Sequence, residues 1–369
     1  MSENRPKSPI FGDLYRYIYN NQETSRKQIA QDLGLSLPTI ANNLQQLIDE
    51  DFIYIDGTSE STGGRKPNTY TCNPSAMYAI GLDITRNHLN IVLIDLSENI
   101  VDSERIRLAF EDTDEYYSYA AEKIEELLTA NSIRREKLLG VGVSVPALLK
   151  EDQKTIGYLK VLDTDGQVYE HMAKFMKYPF LLYNDADSAG LAEWWLTTNR
   201  NTAVYIALNP SIGGATINGK NIYTGDNNRA SEFGHITIIP GGKRCYCGRK
   251  GCVDAYVSEY NLSDFTDGNL QQFFDELDSN AGYQSVFNQY LDHLALAVNT
   301  LRVCYDCDVI LGGNVGSYLS KYIDILKEKT TRLNPFEENS DYIRVCQFKS
   351  FASAVGAALH FVQEFIRNI

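Results

Sequence analysis

The chain has 369 residues, 43% hydrophobic and 22% charged, which fits a globular protein of two or three domains. No window approaches eighteen consecutive apolar residues, and Pro6, Pro9, Asp13 and Arg16 interrupt any signal-peptide core, so neither membrane insertion nor export is expected and a cytoplasmic location is. The formal charge of -14 excludes wholesale coating of nucleic acid; residues 1–80 hold seven Lys/Arg against nine Asp/Glu, so any DNA contact must be local.

An amphipathic run over residues 10–19 reads as a supporting helix, and residues 24–40 as helix, sharp turn, helix. Ser25 or Thr24 caps the first helix of that pair and Ser36 the second. Gly34 supplies the left-handed turn position, and Pro38 falls in a first helical turn, where a missing amide is tolerated. Ile40, Leu44, Leu47 and Ile48 repeat at helical spacing and predict a buried stripe. Ser36, Thr39, Asn42, Asn43 and Gln46 are assigned to the groove-facing side, where amides can pair with adenine edges. Two short strands are expected over residues 52–55 and 68–71, joined by a loop with Gly57, Gly63, Gly64, Arg65, Lys66 and Pro67. That loop reads as a wing, with Arg65 and Lys66 as its cations for a minor groove. A helical hairpin used only for packing or a protein partner is the plainer alternative.

From residue 78 strands alternate with helices, the pattern of an α/β domain. Strands are expected over residues 79–84, 89–95, 138–146, 180–183, 203–208, 214–217, 236–239 and 309–311. Helices are expected over residues 115–129, 186–195, 286–303 and 352–365, and no internal repeat is visible. The densest chemistry is Glu232-Phe233-Gly234-His235 followed by Cys245-Tyr246-Cys247-Gly248-Arg249-Lys250-Gly251-Cys252. In a reducing compartment such clustering favours metal over disulfides. His235, Cys245, Cys247 and Cys252 form a donor set suited to structural zinc, and four protein ligands leave no position for a reactive water. Cys304 and Cys307 form a second CxxC pair without nearby partners and are read as packing.

Together these residues resemble the ROK family of repressors, open reading frames and sugar kinases. The matching stretches are Gly81-Leu82-Asp83, Gly140-Val141-Gly142-Val143-Ser144-Val145-Pro146, Asn184-Asp185 and Ile212-Gly213-Gly214, then Glu232 to His235, the cysteine loop, and Leu311-Gly312-Gly313-Asn314-Val315. The winged helix ending in Gly63-Gly64-Arg65-Lys66-Pro67 is similar to that of the family's repressor branch. The resemblance implies an N-terminal winged helix-turn-helix (residues 1–75) joined to an actin-like, hexokinase-type (ribonuclease H-like) two-lobed α/β domain. Its first lobe would span residues 76–190, with a helix at about 350–369 returning to it. The second lobe, at residues 191–349, would carry the zinc loop and dimer contacts. Sugar binding is implied for Asn184, Asp185, Glu232, His235 and Asp254, where amides and carboxylates suit hydroxyl groups. Asp254 stands where the family usually has glutamate, and Ala147 where it usually has glycine.

In kinase relatives the aspartate matching Asp185 is the base that deprotonates the attacked hydroxyl. Phosphoryl transfer also needs glycine-rich turns whose amides cradle phosphates. Here those turns read Asp83-Ile84-Thr85-Arg86-Asn87 and Asn209-Pro210-Ser211-Ile212, and Pro210 has no amide to offer. Catalysis is therefore not expected. The expected function is a repressor, dimeric or tetrameric, that binds a palindromic operator and responds to a sugar. An ATP-dependent sugar kinase carrying a DNA-binding domain is the first alternative, and a regulator controlled by another protein, with a vestigial cleft, is the second.

Overall fold

Two serines start the paired amino-terminal helices by the same device: Ser25 Oγ accepts the Gln28 amide and Ser36 Oγ the Thr39 amide, each at 3.3 Å. In the computed structural model, which describes residues 9–21, 23–58, 68–195, 202–219 and 221–369, these caps open α2 (Arg26–Leu33) and α3 (Leu37–Asp49). Gly34 takes φ 64° between them, the left-handed conformation the sharp turn requires. Helix α1 (Phe11–Asn21) supports the pair. Strands β2 (Ile53–Thr58) and β3 (Asn68–Cys72) form the expected hairpin. A two-residue strand, β1 (Thr24–Ser25), joins β3 and completes a sheet in the order β1-β3-β2. The wing tip with Gly63, Gly64, Arg65, Lys66 and Pro67 lies outside the described residues.

The next strands are β4 (Tyr78–Ile84), β5 (His88–Asp95), β6 (Ile100–Arg107), β7 (Leu138–Val145), β8 (Ala147–Leu149), β9 (Ile156–Leu159) and β10 (Phe180–Asn184), with helices α4 (Asp114–Ala130) and α5 (Val168–Ala173) among them. Helix α6 (Asp185–Trp195) follows β10 without a break. The second lobe holds β11 (Thr202–Leu208), β12 (Ile212–Asn218), β13 (Asn221–Ile222), α7 (Asp254–Val257), α8 (Tyr260–Ser263), α9 (Leu270–Glu276), α10 (Ala281–Tyr305), β14 (Asp308–Gly312), α11 (Gly313–Gly316), α12 (Ile323–Thr331) and β15 (Ile343–Val345). Helix α13 (Ala352–Asn368) ends the chain.

The two large sheets repeat one topology. Their orders are β10-β7-β4-β5-β6 and β15-β14-β11-β12-β13. In each, three strands form an antiparallel meander and two more add in parallel beside the first. The duplication is invisible in the sequence because topology repeats without residue identity. The segment 236–239, expected as a strand, is not one. Thr237 makes a single bridge to Cys252, while the amides of Ile238 and Ile239 both donate to the Gly251 carbonyl at 2.9 and 3.2 Å. One acceptor shared by consecutive amides ends a ladder, and the segment wraps the cysteine loop instead.

Helix α13 packs on β4 and β7 and against α6 so closely that a Cβ at Gly81 would overlap the Ala354 carbonyl, and one at Gly356 the Ser188 carbonyl. At its other end it meets the amino-terminal domain. Arg16 Nη1 on α1 donates to the carbonyls of Arg367 (3.1 Å), Ile366 (3.4 Å) and Ile369 (3.5 Å), capping the negative end of α13. Phe365 stacks near Tyr15 and Phe52 at 6.2 and 5.7 Å between ring centroids. A single apolar core thus runs from Leu14, Ile29, Ile40 and Leu47 through Val355, Leu359 and Val362 to Ala79 and Val92.

Candidate ligand-binding cleft and metal centre

The carboxyl ends of β4, β7 and β10 meet at the cleft between the lobes. Asp83, buried near the end of β4, accepts hydrogen bonds from Asn90 Nδ2 (2.8 Å) and the Ser144 hydroxyl (3.1 Å). It sits inside the strand and ties β4, β5 and β7 together. Burial pushes its pKa up to about 6 against the pull of those donors. Asn184 donates from Nδ2 to the Ala147 carbonyl (3.0 Å) and accepts the Asp187 amide at Oδ1 (2.9 Å). One hydrogen and one lone pair of its amide remain, so it chiefly fixes the β10–α6 junction.

Asp185 opens α6, with its carboxyl at the cleft. Burial and the neighbouring Asp83 raise its pKa to about 7, against the amides of Ala186 and Asp185 itself. Asp187, which the sequence pattern did not single out, is raised to about 7 by burial, Asp185 and Glu232. Its only sequence signal was its place two residues after Asp185, in the first helical turn. From the other lobe, Glu232 brings an exposed carboxyl 3.9 Å from His235 Nε2. Asp254 corrects an expectation. It is 5% exposed and commits Oδ2 to the Ile212 amide at 2.8 Å, so it braces the 211–212 turn rather than facing a ligand.

His235 Nδ1 lies 3.9 Å from Cys245 Sγ, and Cys247 Sγ lies 3.9 Å from Cys252 Sγ. All four ligand atoms fall within 4.8 Å of one another. Tetrahedral bonds of about 2.3 Å put sulfurs about 3.8 Å apart, so this donor set could hold a metal ion. Burial pushes the Cys245 thiol up to about 12 and raises Cys252, while the Arg249 amide lowers Cys247; a metal would bind all three as thiolates. Cys304 is exposed and Cys307 buried, and neither belongs to a metal-type cluster among the described residues. The lobes also touch directly. Asn228 Nδ2 donates to the Leu149 carbonyl (3.1 Å), and Lys160 Nζ to the Tyr246 carbonyl (3.4 Å).

The glycine pair after β14 is already satisfied from within. The Gly313 amide donates to the Tyr205 hydroxyl (3.1 Å) and the Asn314 amide to Asn209 Oδ1 (2.9 Å). Glu259, which sequence reasoning missed, accepts from Asn314 Nδ2 at 2.6 Å and places a carboxylate beside those amides. Across the cleft, Thr85 closes the β4–β5 turn by accepting the His88 amide at 3.0 Å.

On α3, Asn42 is exposed and Thr39 and Gln46 are half-buried, with Gln46 Nε2 donating to Glu50 at 3.0 Å. Ser36 is exposed, its hydroxyl engaged with Thr39. Asn43 was misassigned. At about 100° per residue it lies beside the buried stripe, roughly 40° beyond Leu47, and it is 6% exposed with Nδ2 donating to the Thr39 carbonyl at 2.9 Å. Arg65 and Lys66 lie outside the described residues. No described helix is long and apolar enough to cross a membrane.

Comparison with known proteins gives the same outline. A profile described as ROK family matches residues 79–364, and one described as winged helix-turn-helix DNA-binding matches residues 12–54. The xylose repressor of Bacillus subtilis (strain 168) is 26% identical over 251 residues, 68% of this chain and 65% of that protein. The chain thus aligns with just under two thirds of that relative. A ROK family transcriptional regulator, described as a homologue of the Escherichia coli MLC protein, superposes with a TM-score of 0.74 at 20% identity over 96% of both chains. A ROK hexokinase from Thermus thermophilus superposes with a TM-score of 0.65 at 22% identity, over 79% of this chain and 100% of that one. The fold is therefore a winged helix-turn-helix joined to a hexokinase-like, actin-type domain.

Proposed function

The chain belongs to the ROK family, and from that premise we propose that it is a sugar-responsive, DNA-binding repressor of carbohydrate-utilisation genes. Residues 1–75 would read operator DNA, residues 76–190 with 350–369 would form the first lobe, and residues 191–349 the second. Asp185, Asp187, Glu232 and His235 would take a sugar between the lobes, with Asn184 and Asp254 positioning the loops around it. Xylose is one candidate effector, named for the Bacillus subtilis relative.

The observation that carries the reading is the path out of the cleft. Asp185 begins α6, α6 lies backbone to backbone against α13, and α13 shares a core with the winged helix and is capped by its Arg16. A head joined by packed core moves with its lobe, so any lobe movement on ligand binding reaches the DNA-reading surface. The ligand must favour one arrangement for that to matter. Release from DNA on sugar binding is the expected direction.

DNA contact would come from Ser36, Thr39, Asn42 and Gln46 on α3, with Arg65 and Lys66 of the wing. Since α3 carries no Lys or Arg, affinity would depend on pairing two heads in a dimer, or four in a tetramer, over a palindromic site. Such work belongs in the cytoplasm. His235, Cys245, Cys247 and Cys252 would hold zinc, closed to water and structural, stiffening the loop that carries Glu232 and His235.

The kinase alternative finds little support. The amides that would cradle a nucleotide phosphate are spent on Tyr205 and Asn209, and Glu259 would repel the anion. Asp185 could serve as a base, but it has no transferable group to work on. The test is a gel shift on DNA upstream of the protein's own gene, repeated with a sugar library. Retardation relieved by one sugar is expected. Failure to shift any fragment at low salt without ligand would sink the proposal, and turnover of ATP with a sugar at enzyme-like rates would establish the kinase instead.

A further inference from the structure

Tyr246 stands between two metal ligands, yet holding a metal requires no tyrosine there. Its hydroxyl lies 2.9 Å from Ser211 Oγ and 3.3 Å from His235 Nε2, and its ring centroid is 5.3 Å from the imidazole at 62°. Lys160, reaching from the first lobe, sets Nζ 5.1 Å from the ring centroid and 3.4 Å from the Tyr246 carbonyl oxygen. The residue is 49% exposed, so the ring can swing outward without disturbing a core.

The two imidazole nitrogens have separate tasks. Nδ1 faces the thiols, with Cys245 Sγ at 3.9 Å, which leaves Nε2 for the cleft. A neutral imidazole using Nδ1 as a ligand carries its proton on Nε2, so Nε2 donates, the phenol oxygen accepts, and the phenol proton goes to Ser211 Oγ. Resting on the sugar-binding reading above, we propose that the Tyr246 hydroxyl is a built-in competitor of the effector, holding Nε2 until a sugar hydroxyl replaces it. The replacement must both accept and donate a proton, as a polyol does and an ether or apolar ligand does not. Displacing the ring also removes the cation–π half of the Lys160 contact, leaving its hydrogen bond to the Tyr246 carbonyl, so occupancy of Nε2 by ligand weakens this contact between lobes.

Tyr246→Phe keeps the ring and the flanking cysteines while removing the hydroxyl. In calorimetric titrations of the full-length protein with D-xylose, D-glucose and N-acetyl-D-glucosamine, the variant should bind the sugar recognised by wild type about five-fold tighter, the factor set by one net hydrogen bond. Metal content per chain should be unchanged. Equal or weaker binding by the variant overturns the proposal, weaker binding marking the phenol as a direct sugar contact. A second measurement does not depend on sugar. The His235 Nε2 proton, followed by NMR of the metal-replete protein, should exchange with solvent several-fold faster in Tyr246→Ala than in wild type, and equal rates overturn the shielding. If no sugar binds either protein, the effector reading itself falls and the competitor role with it; the exchange rates tell that failure apart from a misplaced phenol.

Discussion

In the first lobe the ends of β4 and β10 bring Asp83 and Asp185 to the cleft, whereas in the second the ends of β11 and β14 bring Asn209 and the Gly312-Gly313 pair. The strand order is the same in both. The carboxyls at Asp185 and Asp187 keep capacity to accept from a ligand, with no ion pair to a cation among the described residues. The Gly313 and Asn314 amides of the second lobe have none left, because Tyr205 and Asn209 accept them. One topology can therefore present free carboxyls in one lobe and engaged amides in the other, and strand-end side chains decide which. The second lobe also carries the His235, Cys245, Cys247 and Cys252 cluster that could hold a metal ion, whereas the grouping of that kind in the first lobe is the partly exposed Asp112, Asp165 and His171.

The largest effect that would sharpen this contrast is removal of the metal. Cys252→Ser, at a fully buried thiol, should abolish metal binding and destabilise the protein by about 4 kcal/mol, the scale of a lost structural metal. Hydrogen exchange should show the opening confined to the loop around residues 232–254 and its neighbours, with the first lobe protected. A full metal equivalent in that variant would contradict the assigned ligands.

Next comes Asp185→Asn. Losing a charged acceptor should weaken sugar binding about 30-fold, roughly 2 kcal/mol. The same change should raise the melting temperature at pH 8, because burial and Asp83 make the ionised Asp185 costly. A variant that binds sugar normally would move the binding site away from the first lobe's strand ends.

Smaller still is the response to nucleotide. ATP with magnesium at millimolar concentration should shift the melting temperature of wild type by less than about 1 °C, since a ligand that does not bind the native state cannot stabilise it. A clear shift would show that the second lobe's amides can be freed.

The subtlest effect is on pH dependence. Asp83, Asp185 and Asp187, raised to about 6, 7 and 7, hold protons in the native state that the unfolded chain releases near pH 4. Their contribution is complete below pH 4 and is lost as pH rises through 6 to 7. His360, stacked on Tyr183 at 4.0 Å and lowered to about 4 by burial, acts oppositely, losing stability as pH falls from 6.5 toward 4. Calorimetry should find greater stability at pH 6 than at pH 8, and Asp187→Asn should flatten that decline. An unchanged slope would mean Asp187 is not strained by its neighbours.

Much of the fold was legible before any coordinates because its signals are local. Ser25, Gly34 and Ser36 punctuate the helices through atoms three or four residues away, and the expected strands from residue 79 to 217 rest on short apolar runs. Strands β1, β6, β8, β9, β13 and β15 were missed. Exposed β6 and two-residue β1 have little apolar character of their own and exist through pairing partners. The site divides in the same way. The spacing of His235, Cys245, Cys247 and Cys252 announced a metal-type cluster, yet nothing near Asn43 or Asp254 revealed that each turns inward to bond backbone.

The amino-acid sequence by itself determined the order of elements, the reading head and the four-donor cluster, because caps, periodicity and ligand spacing act over a few residues. Tertiary structure alone decided which carboxyls share the cleft, which amides remain free, and that α13 joins the ligand lobe to the head. Those outcomes depend on groups such as Arg16 and Arg367, or Asn209 and Asn314, that are far apart along the chain and meet only after the sheets have formed.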